Sequence, residues 1–194
     1  MKGFVLHRVL RRVLAVWGLG LALVAGSVPA WADQLDTRLD GLFDDLKQTE
    51  NFFEIQSLQA KISNLWEETD SATISLLMER GEKAMASQDY ERALAHLTHV
   101  TELAPDYAAG WHLRARLLRR LDRYAEAVLN IERAVRLEPR HYLAWMTLGD
   151  IFLQLDNKVG AYKAFQKALE INPHLEDAKS AVDYLRPEVE GRGI

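Results

Sequence analysis

Apolar residues recur along most of this chain at steps of three and four, the spacing that lines one face of an α-helix. Leu35, Leu39, Leu42, Phe43 and Leu46 fall on one stripe, and Ile55, Leu58, Ile62, Leu65 and Trp66 form a second beyond an interruption near Thr49 to Asn51. The pattern predicts a pair of helices in residues 33 to 73 that covers the exposed face of the first repeat of the array that follows. From residue 74 a longer order takes over, since Pro105, Pro139 and Pro173 are separated by 34 and 34 residues. Laying residues 74 to 107, 108 to 141 and 142 to 175 over one another aligns Ala93, Ala127 and Ala161, then Leu97, Ile131 and Phe165, then Val100, Ala134 and Ala168. Leu77, Trp111 and Trp145 also align, as do Gly81, Ala115 and Gly149. Small residues recur where two helices must cross closely, because a larger side chain would hold the backbones apart. Each repeat therefore reads as a helix pair, and a fixed period of this length marks a stacked array.

The repeated segments resemble the tetratricopeptide repeat, a helix-turn-helix family with the same period. The motifs that carry the resemblance are Gln88-Asp89-Tyr90 and Asp122-Arg123-Tyr124 at the turn, and Glu102-Leu103-Ala104-Pro105, Arg136-Leu137-Glu138-Pro139 and Glu170-Ile171-Asn172-Pro173 at the close of each repeat. Arg80 and Arg114 depart from it where the family prefers leucine, Ala115 where it prefers glycine, and Lys158 where the turn tyrosine is usual. The resemblance implies an all-α fold, a right-handed α-solenoid of three repeats, with the helical pair before it and a capping helix after it. In that cap, residues 176 to 186, Ala178, Ala181, Val182 and Leu185 turn inward while Glu176, Asp177, Lys179 and Asp183 turn outward, as a terminal helix needs for solubility. Pro187 is expected to stop it and to leave residues 187 to 194 as a frayed tail.

The first 32 residues follow a different rule. Lys2, Arg8, Arg11 and Arg12 precede an uncharged run of 13 residues from Val13 to Ala25, and a small-x-small triplet ends at Ala32. This is the layout of an export signal with cleavage between Ala32 and Asp33. The run falls short of the ~20 apolar residues a spanning helix needs, so no stable membrane insertion is expected after cleavage. Arg11-Arg12 does not complete a twin-arginine motif, and the Sec route is the plainer reading. The expected location is the periplasm.

Composition narrows the chemistry. The chain holds 24 Lys and Arg against 28 Asp and Glu, and setting aside the four bases of the leader leaves 20 against 28. So acidic a body is a poor ligand for nucleic acid, whose affinity rests on phosphate neutralisation. The absence of cysteine removes disulfides, thiolate zinc sites, thiol nucleophiles and thioether lipid anchors. No nucleotide, zinc-protease or calcium-loop motif occurs in residues 33 to 194, and no cofactor or metal is expected. His96 and His99 sit three apart on a helix with no third ligand in view, and Asp44-Asp45 and Glu67-Glu68 read as solvated surface charge rather than a catalytic pair. Phe52, Phe53 and Trp66 of the helical pair are expected to pack on the array, the alternative being a wedge that binds a partner.

In the resembled family the first helices of successive repeats line a concave groove. The matching residues here are Met78, Glu82 and Met85, then His112, Arg116 and Arg119, then Met146, Asp150 and Leu153, an acid, base, acid sequence of charge. Arg116, Arg119, Arg120 and Arg123 gather on one side of a helix, either to meet a partner or to pair with Glu82 and Asp150. The family's chaperone-binding clamp uses Lys and Asn where this chain has Met78, Glu82 and His112, which argues against that mode of carboxylate recognition. The expected function is a noncatalytic interaction module, similar to small exported repeat proteins of Gram-negative bacteria. It would serve as adaptor or scaffold for the cell envelope and bind an extended peptide or amphipathic helix carrying an acidic residue. The alternatives are a secretion or outer-membrane assembly partner and, more remotely, an envelope hydrolase using carboxylates of the helical pair such as Asp44 and Asp45.

Overall fold

The computed structural model describes residues 37–191. The leader, its Ala32/Asp33 junction, Leu35 and the last three residues lie outside that range. Among the described residues there are helices and connecting turns only: α1 (Arg38–Gln48), α2 (Phe52–Glu67), α3 (Ala72–Ala86), α4 (Tyr90–Leu103), α5 (Ala108–Arg120), α6 (Tyr124–Leu137), α7 (Tyr142–Gln154), α8 (Lys158–Ile171) and α9 (Glu176–Glu190). None of these is long and apolar enough to cross a membrane.

The three helix pairs α3–α4, α5–α6 and α7–α8 repeat one turn in atomic detail. Gln88, Asp122 and Asp156 take left-handed backbone angles, with φ of 61°, 57° and 52°. In each, the next residue donates its N–H back into the helix just ended: Asp89 to the Ala84 carbonyl at 2.8 Å, Arg123 to Leu118 at 2.9 Å, Asn157 to Phe152 at 2.8 Å. The left-handed residue itself donates to Met85, Arg119 and Leu153 respectively. This double bond is the Schellman arrangement, which satisfies carbonyls that a helix end leaves open. Glycine is the usual occupant of the left-handed place, and this chain uses Gln or Asp there.

Close helix crossing explains the small residues. A methyl placed on Gly81 would lie 2.7 Å from a Leu97 methyl, and one on Gly149 would lie 2.5 Å from the Phe165 ring. Ala93, Ala115, Ala127 and Ala161 are wholly buried at the equivalent crossings. Arg114, standing where leucine is usual, is accommodated because its guanidinium donates to Asn130 Oδ1 at 2.9 Å and its Nε to Thr98 Oγ1 at 3.3 Å. Trp111 and Trp145 are half-buried, and each indole donates to the carbonyl of the preceding repeat's closing proline, Pro105 and Pro139.

Three expectations are corrected. Pro187 does not end the last helix, which continues to Glu190. The stripe Val182, Leu185 and Val189 keeps it seated on α8, while Lys158 Nζ bonds Glu188 at 2.5 Å and the Tyr162 hydroxyl donates to Glu190 at 2.5 Å. Phe52 and Phe53 do not pack, being 64% and 82% exposed at the start of α2. The α1–α2 hairpin does not cover the outer flank of the first repeat. That flank carries exposed Glu79, Arg80 and Lys83, so it has little need of cover. The hairpin lies instead on the inner face of the array, where Leu39, Phe43, Leu46, Leu58, Ile62 and Trp66 form one core with Tyr142 and Ile171, flanked by Trp145, Met146 and Leu175.

Candidate functional site

The inner face is built from α3, α5 and α7, and the hairpin divides it in two. Toward the starts of these helices the face is covered. Met78 and His112 are buried, Met146 is half-buried, and Ser63, Trp66 and Glu67 of α2 close over Met78, Ala109, His112 and His141, leaving a cavity of about 50 Å³. Met85 is buried too, but in the core of the first repeat with Ala93, Leu97 and Leu113 rather than on the face. Toward the ends of the helices the face is open: Glu82, Arg116 and Leu153 are exposed, and Arg119 and Asp150 are half-buried. Of the nine residues assigned to a groove, these five are accessible together.

The open half is electrostatically mixed. Arg119 approaches Asp150 at 3.7 Å, a loose pair with both side chains more than a third exposed, and such contacts contribute little to stability. Its Nε is buried with no hydrogen-bond partner. The Asp150 carboxyl is pushed above its usual range, first by burial and further by Asp177, against the opposing pull of Arg119. Arg116 has no ion-pair partner among the described residues, although its charge bears on Glu67, whose carboxyl is raised by burial and by Glu82. Arg123 does not join the arginine group on α5, since it lies beyond that helix as the residue before α6, where it holds Glu126 through two bonds of 2.6 and 2.7 Å.

The covered half is a set of contacts that sequence reading missed. Trp66 stacks on His141 with ring centroids 4.1 Å apart, and His141 meets His112 edge-on at 4.5 Å. His112 Nε2 lies 3.1 Å from Thr147 Oγ1. The Tyr107 hydroxyl donates to the Glu67 carbonyl at 2.7 Å, and His174 Nε2 bonds the Leu46 carbonyl at 2.7 Å. Arg140 joins Asp40 of α1 to Glu138 of the array and lies over the Phe43 ring. Burial drives the His141 imidazole down to about 3 and holds His112 well below its ordinary value, the latter also through His141 and Arg116. Burial likewise pushes the Tyr142 hydroxyl up to about 12. The available signal was positional: Tyr107, His141 and Leu175 occupy the same place in the period, directly before a helix, where a capping Ser, Asp or Asn would be ordinary.

The other candidates are dispersed. His96 is half-buried and His99 exposed on α4, and no group of three potential metal ligands occurs among the described residues. Asp44 and Asp45 are exposed on α1.

With this geometry in view, comparison with known proteins decides the family. The tetratricopeptide repeat model matches residues 78–129 and 112–176. The chain belongs to the tetratricopeptide repeat family. A TPR repeat-containing protein of Rhizobium etli is 32% identical over 154 residues, which is 79% of this chain and 76% of that one. Superkiller complex protein 3 of Mus musculus is 38% identical over 88 residues, 44% of this chain but 6% of that protein's length. Among solved structures, the first TPR of Spaghetti (RPAP3) bound to an HSP90 peptide matches 63% of this chain and 99% of that one with a TM-score of 0.59 at 23% identity. The Sgt2 TPR domain of Aspergillus fumigatus matches 63% and 84% with a TM-score of 0.58 at 23% identity. At these identities the structures support the fold. Tetratricopeptide repeats generally mediate protein–protein interaction, peptide binding included.

Proposed function

We propose that this protein is a noncatalytic, exported adaptor or scaffold of the cell envelope, working in the periplasm and holding a peptide or amphipathic helix of another protein against its inner face. The observation that carries the reading is the open half of that face. Arg116 is exposed and has no ion-pair partner among the described residues, Arg119 is half-buried with only a loose acid beside it, and Leu153 of α7 is exposed. Guanidinium groups form two parallel bonds to a carboxylate, so an acidic residue flanked by apolar anchors fits this surface. The RPAP3 repeat bound to an HSP90 peptide lends support by example, though this chain presents Met78, Glu82 and His112 at the clamp positions and so calls for a different ligand.

The test is reversal of charge. Arg116→Glu with Arg119→Glu adds repulsion as well as removing attraction. Wild-type chain used as bait on a periplasmic extract, with mass spectrometry of what it retains, is expected to yield a partner that the double variant loses. The circular dichroism spectrum and Tm should stay near wild type. Retention of the same partner by the double variant, with a lowered Tm, would show that the arginines serve the fold and would refute the reading. Fractionation of the expressed full chain tests the location separately.

A further inference from the structure

The hairpin covers one half of the face whose other half is offered to the proposed partner, and two histidines lie within the contact between hairpin and array. His112 of α5 and His141 at the start of α7 are both buried, and Trp66 of α2 is the ring laid over His141. Among the described residues His141 Nδ1 has no hydrogen-bond partner, and His112 bonds Thr147 and the Leu143 backbone. We propose that the α1–α2 hairpin is a proton-released cover: protonation of His112 and His141 lifts it from the inner face and joins the hidden apolar half of that face to the open arginine half. The proposal rests on the functional reading above only in naming what the uncovered face is for.

The physical argument is one of linkage. The face of the Trp66 ring attracts a charged imidazole, but neither Glu138 nor Asp40 is free to pair with it, and burying a charge without such a partner costs more than the ring contact returns. Once the hairpin leaves, His141 loses the ring that covers it and His112 loses the α2 wall of the cavity it shares with Trp66, and an imidazole in water titrates near the ordinary histidine value of 6.5. The uncovered state therefore binds more protons below that value, and acid favours it. The sign is fixed by the downward shift: docking keeps its full strength above about pH 6.5 and weakens as pH falls toward the docked-state value. At pH 5.5 the His141 ring alone reduces the docking constant by about tenfold, and His112, shifted in the same direction, adds to that up to about 100-fold for the pair.

The groups around the pair do not reverse this sign. They are Asp40 of α1, Glu67 of α2, Glu82 of α3, Tyr107 and Arg116 of α5, Glu138 and Arg140 in the α6–α7 turn, and Tyr142 of α7. Arg116 opposes protonation of His112. Arg140 already occupies Glu138 and Asp40, so neither acid is free to hold an imidazolium. The hydroxyls of Tyr107 and Tyr142 are shifted upward and stay protonated throughout the relevant range. Glu67 acts in the opposite sense, since its raised value lets the docked state keep a proton, so it can only diminish the acid effect of the histidines, and Glu67→Gln removes that contribution. His174 also joins hairpin to array, and its ring N–H donates to the Leu46 carbonyl whether the imidazole is neutral or charged, so the comparison of pH 7.5 with about 5.5 is made alongside a His174→Gln control.

Hydrogen exchange of the full chain, followed by mass spectrometry, reads the docking constant directly. Protection factors for α2 amides from Leu58 to Trp66, corrected for the intrinsic pH dependence of exchange, are expected to fall between about 10-fold and 100-fold from pH 7.5 to 5.5, while those of α5 to α8 hold. In His112→Gln with His141→Gln the α2 protection should be the same at both values. Should the double variant fail to fold by circular dichroism, His141→Asn alone should cut the acid effect to tenfold or less. Equal wild-type protection at the two pH values, a parallel loss across α5 to α8, or an undiminished acid effect in the histidine variants would each overturn the proposal. The measurement needs no partner, so its failure leaves the arginine-face reading standing and the failure of that reading leaves this one standing.

Discussion

Two glycines in this chain should respond to the same substitution with opposite signs. A methyl group on Gly149 of α7 would stand 2.5, 2.6 and 2.7 Å from three ring carbons of Phe165. Carbon atoms rest at about 3.5 to 4.0 Å, so the ring or the helix must yield by roughly 1 Å. Phe165 is 2% exposed and is enclosed by Ala161, Ala178 and Val182, so it has no open direction in which to move. Overpacking of this kind costs about 1 to 3 kcal/mol. Alanine also brings a gain of roughly 1 kcal/mol over glycine within a helix, because the unfolded chain has less freedom to lose. Gly149→Ala is therefore expected to destabilise the array by about 0 to 2 kcal/mol. Gly41 of α1 has no atom within 4 Å of the same added methyl. Gly41→Ala should thus keep the whole gain, about 0.5 to 1 kcal/mol. Urea denaturation followed by far-ultraviolet circular dichroism reads the first variant as a lowered midpoint at unchanged slope. Amide exchange of α1 reads the second as a rise in protection of about two- to fivefold. A raised midpoint for Gly149→Ala would mean that α7 and α8 do not cross at Gly149 and Phe165 as described, and the argument from small residues would fail with it.

Two further substitutions probe the array and its hairpin. Trp66→Ala removes a buried ring that touches Phe43, His141 and Tyr142, and should weaken hairpin docking by about 3 to 5 kcal/mol; exchange of α1 and α2 amides should rise while α5 to α8 stay protected, and unchanged exchange would show that the ring does not hold the hairpin. Ala127→Leu, at a wholly buried crossing of α5 and α6, should lower the urea midpoint by the equivalent of about 1 to 3 kcal/mol, and a midpoint equal to wild type would place Ala127 outside that crossing.

The period of the prolines and small residues made the repeats legible because helix crossing is a local, steric demand that each repeat must meet in the same way. Gly81 over Leu97 and Gly149 over Phe165 are that demand in coordinates. The seat of the hairpin was not legible for a physical reason. An amphipathic stripe such as Leu58, Ile62 and Trp66 states that one face of α2 is buried, and nothing in its spacing states against what. Tyr142, Ile171 and Leu175 are distant in sequence and were equally consistent with packing inside the array. Phe52 and Phe53 misled because apolar character alone argued for burial, whereas Asn51 starts α2 by accepting from the Phe53 and Glu54 N–H groups and leaves both rings outward. Of the groove positions carried over from the family, Met85 lies in the core of the first repeat rather than on the inner face. The accessibility of Met78, His112 and Met146 was not readable, since the segment that covers them lies outside the repeats.

That covering is nevertheless written into the repeats themselves. Tyr107, His141 and Leu175 share one place in the 34-residue period, and each precedes a helix that has no side-chain cap. Asn51, Ser71, Asp89 and Asn157 show that this chain uses capping side chains at other helix starts. A missing cap forgoes about 1 kcal/mol at each such place. What stands there instead reaches the hairpin: a hydroxyl bonded to the Glu67 carbonyl, an imidazole under Trp66, and a leucine at the margin of the shared core. Three equivalent positions thus trade local helix stability for contact with one external element, and they differ in chemistry because α1 and α2 present something different to each. Of the three, only His141 changes charge near neutral pH once exposed, which places the acid-sensitive contact at the middle of the row, where Trp66 is held.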